Sequence, residues 1–240
     1  MKHILLALLA VCATPAAAVT CREDIWQDQS YTTCVVSQKN DDLRLFLNGP
    51  DGTPLGSFAA IEKATGRQVL FAMNAGMYHP DRQPVGLYIE DGEQIKRLVT
   101  GGSKGNFGML PNGLMCITDF DVRILETGDY LNDTPTCRYA TQSGPMLLMG
   151  DQIHPRFIPD STSRFIRNGV GMSWNDEVYF VISNDPVNFY DFARFFRDHL
   201  KVHNALYFDG KISRLYAPSL GRSDFGFLMG PMVAVLAPAE

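Results

Sequence analysis

Apolar residues along this chain recur mainly in short runs that alternate with polar residues or stand between polar turns, a pattern that predicts β-strands. The dipeptide Asp91-Gly92 separates two such runs and is a strong hairpin signal. We predict strands over 32–37, 43–47, 69–73, 85–89, 94–99, 113–118, 122–127, 145–149, 169–173, 178–183, 205–208 and 231–236.

Two segments have helical rather than strand periodicity. Ser57 is a suitable N-cap for a short helix near 57–66. A longer helix is predicted over about 186–200, because Asp185 followed by Pro186 is typical of a helix start and an apolar stripe follows at helical spacing. Hairpins outnumber helical crossovers, so we predict the α+β class with a largely antiparallel or mixed β-sheet.

The first 18 residues have the pattern of a secretory signal peptide. Met1-Lys2-His3 precedes the apolar stretch 4–11, and small residues follow up to Ala18. The apolar stretch is shorter than the roughly 20 residues that span a bilayer, and no later segment approaches that length. We therefore predict an exported protein, periplasmic or extracellular, with no transmembrane segment and a single domain over 19–240.

The charge balance narrows the class of partner. The chain has 21 Lys and Arg against 26 Asp and Glu, which gives a net charge of −5. Loss of Lys2 with the leader brings this to −5 − 1 = −6. This mild acidity argues against a broad basic surface for a nucleic acid backbone, so no nucleic acid partner is expected. A local cationic pocket remains compatible with it.

Four cysteines remain once the leader is excluded: Cys21, Cys34, Cys116 and Cys137. In an oxidising compartment an even number of cysteines indicates disulfides, and four allow three pairings. Cys21 with Cys34 and Cys116 with Cys137 are favoured, because each pair closes a short loop. No pair has a tight zinc-ligand spacing.

Asp209 is the most informative candidate for chemistry. It follows the apolar run 205–208 and precedes Gly210, so it should be presented at the end of a strand, although Asp-Gly is also an ordinary turn dipeptide. Two other polar segments that contain glycine follow or interrupt apolar runs, at 74–77 and 141–145. The hypothesis is that the three loops form one site.

Arg167 is the candidate for binding an oxyanion, because its guanidinium can form two parallel hydrogen bonds and Asn168 and Gly169 follow at once. A surface ion pair is the alternative. The segment 101–106 matches no nucleotide-binding loop and is predicted to be a flexible loop, although Lys104 and Asn106 would suit an anionic ligand.

Two other enzyme classes find less support. Ser143 lacks the Gly-x-Ser-x-Gly sequence of a hydrolase nucleophile, and no histidine is tied to it. His199 and His203 have the spacing of a zinc-binding pair but lack the accompanying glutamate, and they fall at a predicted helix end, where histidine is favoured electrostatically. We interpret the pair as surface residues.

Four motifs occur in a fixed order along the chain: Asn74-Ala75-Gly76-Met77, Ala140-Thr141-Gln142-Ser143-Gly144-Pro145, Arg167-Asn168-Gly169-Val170-Gly171 and Tyr207-Phe208-Asp209-Gly210-x-x-Ser213. In this order the chain resembles the phosphodiester glycosidase family, which includes the mannose-phosphate uncovering enzyme, and it is closer to the secreted bacterial branch. The resemblance extends from about Val69 to Val235. It implies an α+β domain that hydrolyses a sugar linked through its anomeric carbon to a phosphodiester.

The chain departs from the animal enzyme at two of these motifs. Lys211 and Ile212 stand where that enzyme has glycines after the aspartate, and Ala75 stands in a run that begins Asn-Gly-Gly there. The reaction class therefore transfers better than the N-acetylglucosamine substrate. The expected partner is a small molecule or glycan that carries a sugar-1-phosphodiester.

Roles follow from this chemistry. Asp209 is predicted to activate water or stabilise the anomeric centre, Arg167 to bind the phosphate, and Asn74 to hold a sugar hydroxyl or the phosphate. The predicted substrate-binding residues are Gln142, Ser143, Gly144, Asn168, Gly76, Gly210, Ser213 and His79. Asp185 and Glu90 are candidates for a second carboxylate, which would decide between retention and inversion.

No cofactor is required by this interpretation. A divalent cation at Asp209 is compatible with the sequence, but no pattern of ligands calls for one. Two other functions stay open at this point. One is a secreted module that binds a glycan or sugar phosphate without turnover; the other is a metal-dependent nuclease, for which no cluster of carboxylates and histidines can be assembled.

Overall fold

The computed structural model describes residues 19–102 and 104–239. The predicted leader, residues 1–18, lies outside this part of the chain. Within the described residues, antiparallel strands form three sheets, accompanied by a few short helices. The predicted α+β class is thus confirmed. No helix in these residues is both long and apolar enough to cross a membrane.

The largest sheet places the strand that ends at Asp209 between two neighbours. Strands are numbered in chain order. The seven strands of this sheet are, in spatial order, β1 (Thr20–Trp26), β2 (Gln29–Val36), β13 (Val178–Ser183), β12 (Asn168–Ser173), β14 (Val202–Asp209), β10 (Met146–Met149) and β11 (Gln152–Ile153).

Two five-stranded sheets complete the described architecture. The second sheet contains β16 (Arg222–Ser223), β15 (Leu215–Ala217), β4 (Val69–Asn74), β17 (Met232–Leu236) and β3 (Asp42–Phe46), in this order. The third sheet contains β6 (Glu93–Lys96), β5 (Tyr88–Glu90), β9 (Tyr139–Ser143), β7 (Gly113–Ile117) and β8 (Val122–Glu126).

The short helix near 57–66 is confirmed as α1 (Phe58–Thr65). The Oγ of Ser57 accepts a hydrogen bond from the backbone nitrogen of Ala60, and Gly66 ends the helix in the left-handed conformation. A further helix, α2 (Thr127–Asn132), falls in a segment for which the sequence predicted only the end of a strand.

The longer helix begins three residues later than predicted. It consists of α3 (Phe189–Arg194) followed by a π-helical turn, Phe195–His199. The prediction of Asp185 as N-cap is wrong: Asn188 accepts the hydrogen bond from the nitrogen of Asp191, at 2.7 Å. Asp185 instead accepts a hydrogen bond from the nitrogen of Ser30, at 2.8 Å.

Both predicted disulfides are present, Cys21–Cys34 and Cys116–Cys137. The first joins directly paired residues of β1 and β2, and the second links β7 to the segment that precedes β9. One apolar core draws on all three sheets, as the buried residues Phe180, Val233 and Met115 illustrate. The sheets are therefore packed on a common interior rather than standing apart.

Candidate active site

Three strands, one from each sheet, end close together. β14 ends at Asp209, β4 at Asn74 and β9 at Ser143. The Oγ of Ser143 donates a hydrogen bond to the carbonyl oxygen of Phe208 at 3.0 Å, which joins the third sheet to the first. The Oγ1 of Thr141 donates to the carbonyl oxygen of Ala75 at 2.7 Å, which joins the third sheet to the second.

The Asn168 side chain makes the remaining connection, between the first and second sheets. Its Nδ2 donates to the backbone oxygen of Asn74, and its Oδ1 accepts the backbone N–H of Asp209 at 3.1 Å. The Oγ of Ser213 donates to the carbonyl oxygen of Asp209 at 3.0 Å. Asn74 and Asn168 are fully buried, so these hydrogen bonds form in a region from which water is excluded.

Asp209 itself is half-buried. Its Oδ1 accepts hydrogen bonds from the backbone nitrogens of Gly210 at 2.6 Å and Lys211 at 2.8 Å. Burial raises the pKa of Asp209 above its ordinary value, because the charged form loses hydration, while these backbone donors act in the opposite direction. The result is a carboxylate held in a fixed orientation and more basic than a surface aspartate.

A cavity of about 880 Å³ opens over Asp209. Apart from the carboxylate and the amide of Asn106, the side chains of its lining are mainly cationic, aromatic and aliphatic. Among the lining residues that the structure describes, Asp209 is the single Asp or Glu. The cations on the lining are Arg82, Lys104 and Lys211, and the side chain of His79 also lines the cavity.

Tyr207 also lines the cavity, two residues before Asp209 along β14. Its hydroxyl accepts a hydrogen bond from the Nη1 of Arg167 at 3.4 Å and also bonds to the side chain of Asn106. Burial raises the pKa of Tyr207 far above its ordinary value. The phenol is therefore neutral and carries a proton that it can donate in a hydrogen bond.

Arg167 lies behind the cavity wall and does not line it. Its guanidinium carbon is 3.7 Å from the ring centroid of Phe189, and the side chain is 1% exposed. Its Nε and Nη2 donate to the carbonyl oxygens of Val187 and Ser163, at 2.8 and 2.9 Å. Burial lowers the pKa of Arg167. The positive charge is thus held by neutral groups at the back of the site.

The structure divides the predicted site residues into three groups. Asp209, Gly210 and His79 line the cavity. A second group lies beneath it in the buried hydrogen-bond network or against its wall: Asn74, Asn168, Ser143, Ser213 and Arg167. The third group, Gln142, Gly144 and Gly76, takes part in neither the lining nor the hydrogen bonds to Asp209.

Gln142 holds loops together instead. Its Oε1 accepts from the nitrogens of Leu87 and Val99, both at 3.0 Å, and its Nε2 donates to the carbonyl oxygen of Val99 and the hydroxyl of Thr127. The side chain is buried, and all of these partners belong to the protein. Gln142 therefore fixes the segment that leads into the 101–106 loop.

Two of the predicted glycines are explained by close approach. A Cβ at Gly210 would lie 2.3 Å from the hydroxyl oxygen of Tyr207, so only glycine leaves room for that hydroxyl. Gly76 has a φ of +123°, and a Cβ there would lie 2.8 Å from the Oγ1 of Thr141. Both positions keep neighbouring polar groups in place without contributing a side chain.

Neither candidate for a second carboxylate lines the cavity. Asp185 is exposed and accepts the hydrogen bond from Ser30 described above. Glu90 accepts a hydrogen bond from the hydroxyl of Tyr88 at 2.8 Å. In the described part of the chain, no three His, Cys, Asp or Glu side chains are arranged to hold a metal ion.

Tyr207 and Arg82 line the cavity although the sequence does not single them out. Tyr207 belongs to an apolar strand run, where a tyrosine is ordinarily a core residue. Arg82 follows the Asn74 segment without any motif of its own. Lys104 and Asn106, the two side chains of the 101–106 segment that would suit an anionic ligand, do line the cavity.

Comparisons with known proteins agree with this architecture. The phosphodiester glycosidase family matches residues 67–222. The uncharacterized protein YigE of Escherichia coli K12 is 34% identical over 220 residues, which cover 90% of this chain and 85% of that protein.

Two solved structures share the fold at low sequence identity. The first is the catalytic domain of zebrafish N-acetylglucosamine-1-phosphodiester alpha-N-acetylglucosaminidase, auto-inhibited by its pro-peptide; the TM-score is 0.64 at 14% identity, over 92% of this chain and 82% of that one. The second is a hypothetical protein from Synechocystis, with a TM-score of 0.56 at 12% identity, over 92% of this chain and 62% of that one. Since the family match covers well over half of the sequence, the chain belongs to the phosphodiester glycosidase family.

Proposed function

We propose that this protein hydrolyses a sugar-1-phosphodiester at the anomeric carbon. Water adds to that carbon, the bond from the carbon to the phosphate oxygen breaks, and the products are the free sugar and a phosphomonoester. The observation that supports this most directly is the position of Asp209, a half-buried carboxylate on the lining of a cavity that also contains three cationic side chains.

Asp209 acts on the sugar in this proposal. Its raised pKa makes it a better base for an attacking water, and its charge stabilises the positive charge that develops at the anomeric carbon. The backbone donors on its Oδ1 fix the direction in which the carboxylate faces. The departing group needs less help, because a phosphate monoester leaves readily.

The phosphate is bound by the cationic side of the cavity. Arg82, Lys104 and Lys211 supply positive charge at the lining, and the neutral hydroxyl of Tyr207 donates a hydrogen bond to a phosphate oxygen. Arg167, which the sequence predicted as the phosphate ligand, acts through Tyr207, whose hydroxyl it contacts. It is a positioning residue in this scheme.

The other predicted residues also act through Asp209. Asn74, Asn168 and Ser213 set the position of its backbone through the buried network. Ser143 fixes Phe208, the residue before Asp209, by its hydrogen bond to the carbonyl oxygen of Phe208. His79, on the exposed rim of the cavity, is the predicted substrate-binding residue whose side chain reaches the lining without being part of that network.

We propose that the protein acts outside the cytoplasm. The support is the presence of two disulfides, which persist in oxidising compartments. The N-terminal sequence pattern points in the same direction.

The test is the release of phosphomonoester from a panel of sugar-1-phosphodiesters by the purified protein. We expect turnover of at least one diester, and a fall in kcat/KM of at least about a hundredfold in Asp209→Asn. Asp41→Asn is a matched control: its carboxylate also accepts a backbone hydrogen bond, from Ser37, and also has a pKa raised by burial, but it is absent from the cavity.

Calorimetry on the same diesters separates an enzyme from a binding protein. If no diester is turned over while wild type and Asp209→Asn bind one of them equally, the protein is a sugar-phosphate-binding module. If Asp41→Asn loses as much activity as Asp209→Asn, the assigned role of Asp209 is wrong.

A further inference from the structure

The loop of residues 224–230, between β16 and β17, exposes three large apolar side chains. Phe225 is 96% exposed, Phe227 78% and Leu228 56%. Isolated apolar residues are common on protein surfaces, but three large ones within four positions concentrate exposed apolar side chains in one loop, a feature associated with binding sites. We refer to residues 224–230 as the apolar loop.

The apolar loop is held in place by the rest of the protein. The guanidinium of Arg214 donates a hydrogen bond to the carbonyl oxygen of Phe227, and Gly226 lies so close to it that a Cβ there would clash. The backbone nitrogen of Met229 donates to the carbonyl oxygen of Gly56 at 2.9 Å. The exposure of the phenylalanines is therefore a property of an anchored loop.

This loop adjoins the cavity over Asp209. The hydroxyl of Tyr78, which lines the cavity, contacts the carbonyl oxygen of Leu228 at 3.4 Å. Gly230 packs so tightly on Tyr78 that a Cβ there would lie 2.6 Å from its ring. Ile212, also on the lining, packs on the cluster that contains Met229. The cavity and the apolar loop thus share a border.

The cavity lining contains many apolar side chains, whereas a sugar phosphate presents mainly polar and charged groups. Its volume of about 880 Å³ is near the upper end of the range of about 300–1,000 Å³ for small-molecule pockets. The aliphatic and aromatic side chains on the lining include Met77, Val85, Phe107, Phe165 and Ile212. A ligand that fills this space presents apolar surface in addition to its charged group.

We propose that the substrate is a sugar-1-phosphodiester whose second ester carries an alkyl or isoprenoid chain, and that this chain lies over the apolar part of the lining and the apolar loop. The inference rests on the proposed function and specifies its substrate class. The cations Arg82, Lys104 and Lys211 complement the phosphate, while the adjoining apolar surface complements the chain. Such a ligand is amphiphilic, and so is the combined surface.

The experiment compares matched ligands that differ only in the ester chain. Methyl and octyl diesters of the same sugar-1-phosphate serve as substrates, and methyl and octyl phosphate serve as product ligands in calorimetry, all below the concentration at which the octyl compounds aggregate. In wild type we expect kcat/KM and affinity to be about tenfold higher for the octyl compound. In Phe225→Ser/Phe227→Ser this ratio falls toward one.

Phe120→Ser is the matched control, because Phe120 is 88% exposed but lies in the turn between β7 and β8, away from the cavity lining. It should keep the tenfold ratio. The single variant Phe225→Ser, at the most exposed of the positions, reports on the loop if the double variant folds poorly, and it should lower the ratio in the same direction.

Equal values for methyl and octyl compounds, in both turnover and binding, overturn the inference while leaving the proposed function intact. Absence of turnover with either diester contradicts the proposed function. In that case the affinities for methyl and octyl phosphate still show whether the protein binds an alkyl chain on the phosphate. If the octyl preference is seen only when the octyl compounds are in phosphatidylcholine vesicles, the apolar loop binds a bilayer and the proposal is overturned. If the protein self-associates without any chain-length preference, and Phe225→Ser/Phe227→Ser abolishes the self-association, the apolar loop binds a second copy and the proposal is also overturned.

Discussion

The Nδ2 of Asn168 donates hydrogen bonds to both oxygens of Asn74, at 2.8 Å to the backbone carbonyl and 3.1 Å to the side chain. The other end of the same amide accepts the backbone N–H of Asp209. One side chain therefore ties the end of β4 to the end of β14. The position of the Asp209 carboxylate therefore depends on the Asn168 amide, which does not line the cavity.

Asn168→Ala is expected to lower kcat by roughly tenfold to a hundredfold, because the ends of the strands are no longer held together and a displacement of about 1 Å is enough for such a loss. KM should change much less, since the cavity lining is retained. The free energy of unfolding should also fall, by about 1–3 kcal/mol, because buried partners are left unsatisfied. Steady-state kinetics and urea denaturation measure the two effects.

Asn184→Ala is the control for this prediction. The Asn184 side chain also joins separate segments, through hydrogen bonds with Ser30, Thr32 and Arg222, but it does not line the cavity. It should lower stability and leave kcat within about twofold. Equal losses of kcat in the two variants would mean that general destabilisation, and not the position of Asp209, explains the effect.

Tyr207→Phe tests the neutral hydroxyl at the back of the cavity. Removing it deletes a donor to the bound phosphate and leaves the Nη1 of Arg167 without that partner. We expect kcat to fall by about a hundredfold, in the range measured when a preorganised donor is removed. The measurement is the initial rate on a turned-over diester, with circular dichroism to establish that the fold is unchanged.

Tyr179→Phe is matched to this change, because it also removes a hydroxyl that hydrogen-bonds to a side chain, here Glu177 on the protein surface. Its kcat should equal that of wild type. A fall in Tyr207→Phe of less than about threefold, well short of the loss when an oxyanion-hole donor is removed, would remove the hydroxyl from the proposed mechanism and leave the lining cations as the phosphate ligands.

Much of the fold follows from short-range sequence signals. Alternating apolar runs locate most strands, Ser57 and Gly66 delimit α1, and the apolar run before Asp209 places that residue at the end of a strand, as observed. The short spacing within each cysteine pair favours the pairing that is observed, among the three that are possible. These signals are local, because each depends on residues within a few positions of one another.

Five strands are not predicted by the sequence: β1, β9, β11, β15 and β16. β11, β15 and β16 have only two or three residues, too few to show an alternation of apolar and polar positions. β1 and β9 are longer, and each has its own physical reason. β1 is rich in charged residues, and its hairpin turn uses Gln27 and Asp28 at positive φ rather than the usual Asn-Gly or Asp-Gly. β9 is fully buried although it contains Thr141, Gln142 and Ser143. Its polar side chains are satisfied by partners far away in the sequence, which no local pattern reports.

In the site, too, local sequence patterns do not report contacts between residues that are distant in the sequence. Sequence motifs identify residues that converge near Asp209, but they do not separate the side chains that line the cavity from those that support it. Arg167 resembles an exposed anion ligand in the sequence, yet aromatic rings cover it in the fold. That difference depends on tertiary packing of Phe165 and Phe189, which lie on segments with no motif of their own.

Removal of the Cys116–Cys137 disulfide by paired substitution to serine is expected to lower the free energy of unfolding by about 3 kcal/mol, because the bond closes a loop of moderate length in the unfolded chain. Cys116 and Cys137 are 21 positions apart, whereas Cys21 and Cys34 are 13 positions apart. The Cys21–Cys34 disulfide should therefore contribute slightly less to the free energy of unfolding. Urea denaturation of the two double variants measures both values. A larger loss for Cys21–Cys34 would show that native contacts outweigh loop length.

The stability of the protein should depend on pH through the ionisation of Asp209. Burial raises the pKa of Asp209 in the folded protein above its unfolded value of about 3.9. The folded state therefore binds this proton more tightly than the unfolded chain does. By linkage, the resulting stabilisation is complete below the unfolded pKa and is lost as pH rises through the folded pKa.

Asp209→Asn removes this dependence, because an amide does not ionise and its oxygen still accepts the hydrogen bonds from the nitrogens of Gly210 and Lys211. At pH 7 the variant should have a higher Tm than wild type, although it is inactive. The difference should shrink as pH falls and become constant below about pH 4. Calorimetric Tm values of the two proteins across this range make the comparison, and a Tm at pH 7 that is lower in Asp209→Asn would mean that the carboxylate stabilises the fold, contrary to a pKa raised by burial.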